Sequence, residues 1–251
     1  MPDGHAGSFD FANRPAYRSR LAVQVKDMAK VVLFGAGKIA EEIYSYFTHD
    51  SDHEVVAFSV DQAYLSFDSL FGLPVVAFED VVEAYPPADF GMFVATGYQQ
   101  LNRLREAKFQ AAKRKGYRLV SYVCSKAANI GSVEIGENSL VLEHATIQPS
   151  SRIGANVFVW SGNHIGHHAV IRDHVYVAGH VTVGGGADIG ENCFLGINST
   201  IGHNVQLGAR CVVGAGARVL KSADDGAVFI EPSTERYRLD SEYLLKLGGL
   251  E

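Results

Sequence analysis

The chain contains 251 residues, 47% of them hydrophobic and 20% charged, and its formal net charge at pH 7 is −6. This is the composition of a folded protein with one large domain or two smaller ones. The acidic balance argues against binding of nucleic acid or an anionic membrane, which requires clustered Lys and Arg. No segment approaches the roughly 18 consecutive apolar residues of a membrane span. Three cysteines do not make a disulfide framework, so we expect a cytoplasmic protein.

Residues 29–126 alternate short apolar runs with amphipathic segments. This alternation predicts a Rossmann-like βαβ domain of the α/β class, in which crossover helices cover a parallel sheet. Residues 1–28 lack the apolar core of a signal peptide, and we expect them to form a poorly ordered extension. The predicted strands are 30–34, 54–60, 74–78, 91–96 and 118–123. One predicted helix follows Ala40 and ends near Phe47, an acidic helix follows the third strand and ends at Tyr85, and a charged helix spans 100–115.

A glycine-rich turn joins the first predicted strand to the first helix. Gly35 and Gly37 leave the amides of this turn free to face a phosphate, although a structural turn accounts for two glycines equally well. Asp61 ends the second strand, where the acidic residue of a Rossmann domain binds a ribose or a base. An NAD site is disfavoured because the second mononucleotide-binding half is missing.

From Asn129 onward the sequence repeats every six residues. Fifteen successive positions at this spacing, from Ile135 to Val219, are aliphatic, and glycine follows nine of them. An α-helix cannot produce this period and an ordinary sheet would show a period of two, so the repeat predicts a coil of short parallel strands over residues 127–222. The sequence of residues 223–251 predicts a strand or loop followed by a short amphipathic helix. We expect this helix to cap the end of the coil.

Six of the seven histidines in the repeat are of two kinds. One kind occupies the register where asparagines otherwise stand, and a left-handed turn explains it. His167 and His203 lie one residue earlier, where no backbone reason requires histidine, so these two are the candidates for chemistry. The histidines expected at corners are His144, His168, His174 and His180, and the asparagines are Asn138, Asn156, Asn192, Asn198 and Asn204.

These hexapeptides resemble the left-handed β-helix of the hexapeptide-repeat acyltransferases. Together with the preceding domain, residues 29–222 resemble the nucleotide-sugar acetyltransferases, a sialic-acid O-acetyltransferase-like group that includes N-acetyltransferases of amino-dideoxy sugars. The resemblance implies three hexapeptides per coil, acetyl-CoA as co-substrate, a nucleotide-linked sugar as acceptor and no metal. It also implies a homotrimer with CoA between adjacent coils. Because no inserted loop interrupts the repeat, one coil has only shallow walls, and a closed site needs a second subunit.

Site residues follow from the same resemblance. His167 corresponds to the general base, and Gly185, one coil later, presents a backbone amide to the thioester carbonyl. CoA is expected at Gly185, His203 and Ala215. Positions 18 apart stack, so Pro149, His167, Gly185 and His203 are expected to form one outward column. The nucleotide-linked sugar is expected at Gly35, Gly37, Lys38, Asp61, Thr96 and Gly97, with Arg103 as the basic residue after that loop.

The chain departs from the family pattern at three positions. His168 stands where relatives carry an acidic residue directly after the base, Tyr176 where many have a second histidine, and Trp160 where they have asparagine. His164, His168 and Tyr176 are therefore candidates for supporting roles in catalysis. A solvated surface histidine is the competing interpretation of His167.

Three other functions fit parts of the sequence. An O-acetyltransferase has the same fold, and a nucleotide-sugar sensor would bind the ligand without chemistry. A γ-class carbonic anhydrase holds zinc on this scaffold, and His144 and His180 have a suitable spacing, but the further ligand expected five residues later is Gly185. The favoured hypothesis is acetyl-CoA-dependent acetylation of a nucleotide-linked amino sugar, for surface polysaccharide or glycan precursor synthesis.

Overall fold

The structure is a computed structural model that describes residues 29–129 and 133–248, so the predicted extension 1–28 lies outside the described residues. The part before the coil contains one six-stranded sheet in the order β3-β4-β2-β1-β5-β6. Its strands are β1 (Lys30–Phe34), β2 (Glu54–Val60), β3 (Ser69–Leu70), β4 (Leu73–Ala77), β5 (Phe90–Val94) and β6 (Arg118–Leu119). Its helices are α1 (Lys38–Asp50), a 3₁₀ turn (Gln62–Tyr64), α2 (Val81–Ala84) and α3 (Arg103–Arg114).

The parallel α/β sheet predicted from the sequence is confirmed. All its strand pairs are parallel except β3 with β4, which form a hairpin around Phe71 and Gly72. Both turn residues have positive φ, as the tightest hairpin turns require. Helix α1 buries Ala40, Ile43 and Phe47 against the sheet, because these positions recur at the helical period.

The predicted strand 118–123 is two strands in different sheets. Arg118–Leu119 pairs with β5, whereas Tyr122–Val123 pairs with Leu140–Val141 of the coil. An apolar run shows that a segment is buried, but it does not show which sheet the segment joins. The coil's strand pairing therefore begins at Tyr122, and the division of the chain at residue 126 remains a prediction.

The repeat folds into the predicted left-handed parallel β-helix, with three faces of short strands. Paired strands lie 18 residues apart, except in the last pair, where Val212 and Val228 are 16 apart. Face 1 contains Tyr122–Val123, Leu140–Val141, Phe158–Val159, Tyr176–Val177, Phe194–Leu195, Val212–Val213 and Val228–Phe229. Face 2 contains Ala128–Asn129, Thr146–Ile147, His164–Ile165, Thr182–Val183, Thr200–Ile201 and Arg218–Val219. Face 3 contains Glu134–Ile135, Arg152–Ile153, Val170–Ile171, Asp188–Ile189 and Gln206–Leu207.

The interior of the coil is a ladder of aliphatic side chains. Ile147, Ile165 and Val183 stack on face 2 with no exposed surface, and each such side chain contributes about 1.5–3 kcal/mol through burial. All nine histidines and asparagines expected at corners have positive φ, so that prediction is confirmed. A glycine such as Gly166 has a different role: a Cβ there would lie 2.5 Å from the Gly185 backbone nitrogen, so the next coil excludes any side chain.

The α/β domain packs against face 1. The outward residues of that face are large and apolar, including Tyr122, Leu140, Phe158 and Tyr176, and they share one core with the sheet. Outward residues of faces 2 and 3 are mostly polar. We call the contact between the α/β domain and face 1 the seam.

Arg105 lies in the seam with no exposed surface. Its guanidinium donates to the carbonyl oxygens of Gly97 at 3.0 Å, His174 at 2.9 Å and Asn156 at 3.2 Å, and it lies 4.4 Å from the ring centroid of Phe158. Burial lowers the pKa of Arg105 to about 9, which leaves it protonated at pH 7. This cation therefore joins helix α3 and the Thr96–Gly97 loop to the coil.

The tail adds one strand and one helix to the described structure. Val228–Phe229 extends face 1, and α4 spans Ser241–Gly248. The described side chains of α4 are exposed, so this helix does not cover the end of the coil.

Candidate functional site

A cavity of roughly 530 Å³ opens at the carboxyl ends of β1, β2 and β5. The chain runs from β1 to β2 on one side and later to β5 on the other, so this edge is the point where the strand order reverses. Ligands of open α/β sheets bind at such a point. The six residues expected at the nucleotide-linked sugar all line this cavity: Gly35, Gly37, Lys38, Asp61, Thr96 and Gly97.

The glycine-rich turn forms one wall of the cavity. Gly35 has a φ of +123°, and a Cβ there would lie 2.7 Å from the carbonyl oxygen of Ala95, so only glycine fits. Gly37 precedes the first turn of α1 and makes no side-chain cap. The first amides of this 13-residue helix therefore face the cavity without an intrahelical partner.

The basic residue beside Asp61 is Lys108. Its ammonium group pairs with the Asp61 carboxylate, lies 5.3 Å from the ring centroid of Phe34 and lines the cavity. Arg103, the basic residue expected from the sequence, is exposed at the start of α3 and does not line the cavity. Lys108 lies four residues after Leu104, another residue that lines the cavity, so both are on the same face of α3. This i,i+4 spacing is the only feature of the sequence that indicates a position for Lys108 in the cavity.

Thr96 contributes an unpaired hydroxyl. Its Oγ1 atom is buried and makes no hydrogen bond within the described residues. A buried hydroxyl without a partner is costly in a protein interior. Thr96 itself lines the cavity, as the sequence predicts for the nucleotide-linked sugar site.

The second group of expected residues lies at the corner where face 2 turns into face 3, which we call the 2–3 corner. The imidazole of His167 covers Gly185: a Cβ on Gly185 would lie 2.8 Å from both Cε1 and Nε2 of that ring. The Gly185 N–H donates to Nδ1 of His203 at 2.9 Å. His167 and His203 are exposed and Gly185 is buried beneath the His167 ring, and the three residues lie together in the predicted column.

His168 contacts the candidate base. Nδ1 of His167 and Nδ1 of His168 are 3.1 Å apart, with the two rings nearly perpendicular. The His167 backbone N–H donates to Oε1 of Gln148 at 2.9 Å, a contact not anticipated from the sequence. Since an Nδ1–Nδ1 hydrogen bond needs one donor and one acceptor, it fixes complementary tautomers on the two rings.

The remaining expected residues lie elsewhere on the coil. His164 lies on face 2, whereas Tyr176 is buried in the seam between Tyr98 and Phe194. Burial raises the pKa of Tyr176, so its hydroxyl stays protonated. Ala215 lies at the corner between faces 1 and 2, apart from Gly185 and His203.

The cavity and the 2–3 corner lie on different sides of the coil. The α/β domain covers face 1, and the 2–3 corner is the corner opposite that face in the triangular cross-section. Among the described residues, no hydrogen bond or aromatic contact joins His167, Gly185 or His203 to the α/β domain. One chain therefore does not bring its two groups of candidate residues together.

The described residues lack two features that other functions would need. Within 29–129 and 133–248, no group of three or more His, Cys, Asp or Glu side chains is arranged to hold a metal ion. Within the same ranges, no helix has the length and hydropathy to cross a membrane.

Comparison with known proteins identifies the repeat. Residues 150–185 and 186–221 match the family described as bacterial transferase hexapeptide (six repeats). No curated protein sequence matches the chain significantly. The repeat region of this chain is therefore similar to that of the hexapeptide-repeat transferases.

Solved structures extend the similarity to the α/β domain. A mutant perosamine N-acetyltransferase from Caulobacter crescentus, in complex with CoA and GDP-perosamine, is 25% identical, with a TM-score of 0.73 over 80% of this chain and 93% of that one. The acetyltransferase domain of PglB from Neisseria gonorrhoeae is 23% identical, with a TM-score of 0.70 over 80% and 95%. WeeI from Acinetobacter baumannii is 23% identical, with a TM-score of 0.67 over 79% and 95%.

These similarities confirm the resemblance to hexapeptide-repeat sugar acetyltransferases that the sequence predicts, and with it the acyltransferase class. The last two structures, at 23% identity, establish the shared fold.

Proposed function

We propose that the chain transfers an acetyl group from acetyl-CoA to the amino group of a nucleotide-linked sugar, with His167 as general base. The observation that carries the proposal is the convergence of His167 on Gly185 at the 2–3 corner of an acyltransferase coil. The structural relative that was determined with both CoA and GDP-perosamine supports the choice of substrates.

The hydrogen bond between His167 and His168 allows a tautomer of His167 that can act as a general base. When His167 donates its Nδ1 proton to Nδ1 of His168, the Nε2 lone pair of His167 remains free. His168 then performs the orienting role that a carboxylate performs beside other catalytic histidines. A neutral imidazole can accept the proton of an amine as that amine attacks a carbonyl carbon.

The reaction follows from these groups. The amine nitrogen attacks the thioester carbonyl, its proton passes to Nε2 of His167, and the carbonyl oxygen becomes an oxyanion. The Gly185 amide is the candidate donor to that oxyanion, and one such donor contributes about 3–4 kcal/mol to transition-state stabilisation. Collapse of the intermediate breaks the carbon–sulfur bond, and the departing CoA thiolate takes up the proton from His167.

The acceptor's nucleotide is assigned to the cavity of the α/β domain. The first turn of α1 suits a diphosphate, and the pair of Asp61 with Lys108 suits a ribose or base. This assignment is supported by the position of the cavity where the strand order reverses.

The separation of the two groups supports a homotrimer. Since the cavity lies beside face 1 and His167 lies at the opposite corner, an acceptor bound in one subunit reaches His167 only of a neighbouring subunit. A C3 arrangement of parallel coils juxtaposes one chain's face-1 side with the next chain's 2–3 corner. It would also bring Ala215 of one subunit near Gly185 and His203 of another, as expected for CoA between coils. The proposal sets this reaction in the cytoplasm, in surface polysaccharide or glycan precursor synthesis.

The test is thiol release from acetyl-CoA in the presence of a panel of nucleotide-linked amino-dideoxy sugars, with product masses read in parallel. We expect one panel member to gain one acetyl group with stoichiometric release of thiol. Acetylation only of a sugar hydroxyl would contradict the amine acceptor and retain the class. A folded protein that binds neither CoA nor any nucleotide sugar would contradict the function.

A further inference from the structure

The amide assigned to the oxyanion already has a partner within the chain. The Gly185 N–H donates to Nδ1 of His203 at 2.9 Å. The backbone does not require histidine at this position, because the residue with positive φ at that corner is Asn204. The His203 side chain is exposed, so its ring can rotate into solvent.

We propose that His203 is a competing acceptor that occupies the Gly185 amide until the acyl carbonyl of the donor displaces it. The proposal rests on the proposed function, since it concerns the same amide. A carbonyl oxygen and an imidazole nitrogen cannot both take the single N–H in good geometry. Binding of the acyl group therefore requires the His203 ring to leave the amide.

This competition distinguishes acyl-CoA from CoA. Only the acylated form carries a carbonyl oxygen next to the sulfur, so only that form must displace His203. Free CoA binds with the hydrogen bond between Gly185 and His203 intact. His203 therefore weakens binding of the donor relative to binding of the product, and determines how well the site selects between them.

The size of the effect follows from one hydrogen bond. Exchange of one neutral hydrogen bond for another is worth about threefold to tenfold in affinity once solvent competes. His203→Ala removes the acceptor and leaves the amide free. The variant should therefore raise the affinity for an acyl donor, relative to the affinity for CoA, by about threefold to tenfold.

The experiment measures two dissociation constants by isothermal titration calorimetry. One ligand is CoA, and the other is the dethia analogue of acetyl-CoA, in which a methylene replaces the sulfur so that the carbonyl remains but no acetyl transfer occurs. The proteins are the wild type, His203→Ala and His49→Ala, which removes an exposed histidine from the last turn of α1. Thermal melting of each variant checks that the fold is retained.

The proposal expects His203→Ala to raise the affinity for the dethia analogue relative to the affinity for CoA, whereas His49→Ala should leave both affinities unchanged. Equal changes for both ligands would overturn it, because the His203 ring would then act only on the part of CoA that both ligands share. A lower affinity for the analogue relative to CoA would also overturn it. Failure of the wild type to bind either ligand would contradict the proposed function itself, and this inference with it.

Discussion

The seam and the 2–3 corner use opposite means to hold their side chains. In the seam, Arg105 is fully buried and bound by carbonyl oxygens from both parts of the chain. At the corner, His167 and His203 are exposed, and the ring of each makes one hydrogen bond to a neighbour in the coil. The seam therefore stabilises the protein and fixes the position of the α/β domain, whereas the side chains of the 2–3 corner are available for catalysis.

Substitution of Arg105 should have the largest effect, and it should fall on stability. Arg105→Met retains an apolar stem over Phe158 but removes the buried donor from the carbonyl groups of Gly97 and His174. We expect a loss of about 3 kcal/mol or more in the free energy of unfolding, measured by urea denaturation. Arg103→Met, at the exposed start of the same helix, should change it by less than about 0.5 kcal/mol. Equal losses in the two variants would remove the distinction between seam and surface.

A methyl group at Gly185 should lower activity and spare the fold. Gly185 has an ordinary φ, so alanine fits the backbone, but its Cβ would press against the His167 ring. We expect Gly185→Ala to lower the kcat of acetyl transfer by about tenfold to a hundredfold, since displacement of a catalytic group by about 1 Å has this effect.

The matched control is Gly179→Ala, where the new methyl group meets only Ser161 O at 3.6 Å. This variant should keep the wild-type kcat. An unchanged rate in Gly185→Ala would mean that the position of the His167 ring does not matter for turnover.

The smallest of the three effects is expected in the cavity. Lys108→Ala leaves the Asp61 carboxylate without its cation close to the expected diphosphate. We expect the KM for the nucleotide sugar to rise by about tenfold, the equivalent of about 1.4 kcal/mol, with little change in kcat. Arg114→Ala, exposed at the end of α3, serves as the control. A fall in kcat at unchanged KM would remove Lys108 from the binding of the nucleotide.

The coil could be predicted because one physical requirement recurs along the chain. Each face must bury an aliphatic residue and each corner must turn, and both requirements appear in the sequence every six residues. His144 and His180 were correctly interpreted as corner residues for this reason. The seam left a similar signal, since Tyr122, Leu140, Phe158 and Tyr176 recur 18 residues apart as large outward residues. That spacing could have located the covered face.

Other features depend on geometry that a sequence does not record. Arg103 and Arg105 are the same residue type two positions apart. Only the orientation of α3 against the coil decides that Arg105 is buried and Arg103 is exposed. Similarly, His203 was recognised as an unexplained histidine, but its hydrogen bond to the Gly185 amide depends on a side-chain rotamer. A structure that repeats locally can therefore be predicted from the sequence, whereas the side-chain contacts between distant segments cannot.

The central claim is that His167 is the base, and the most direct measurement is acetyl transfer by His167→Asn beside His180→Asn. His180 has positive φ, and asparagine takes the same conformation at Asn198 and Asn204. The control variant therefore loses the imidazole ring of a corner histidine while the backbone of that corner is retained. We predict that His167→Asn loses at least about a hundredfold in turnover, while it still binds CoA and melts as the wild type does. His180→Asn should keep the wild-type rate. A folded His167→Asn with near-wild-type turnover would contradict the account and move the base to another residue.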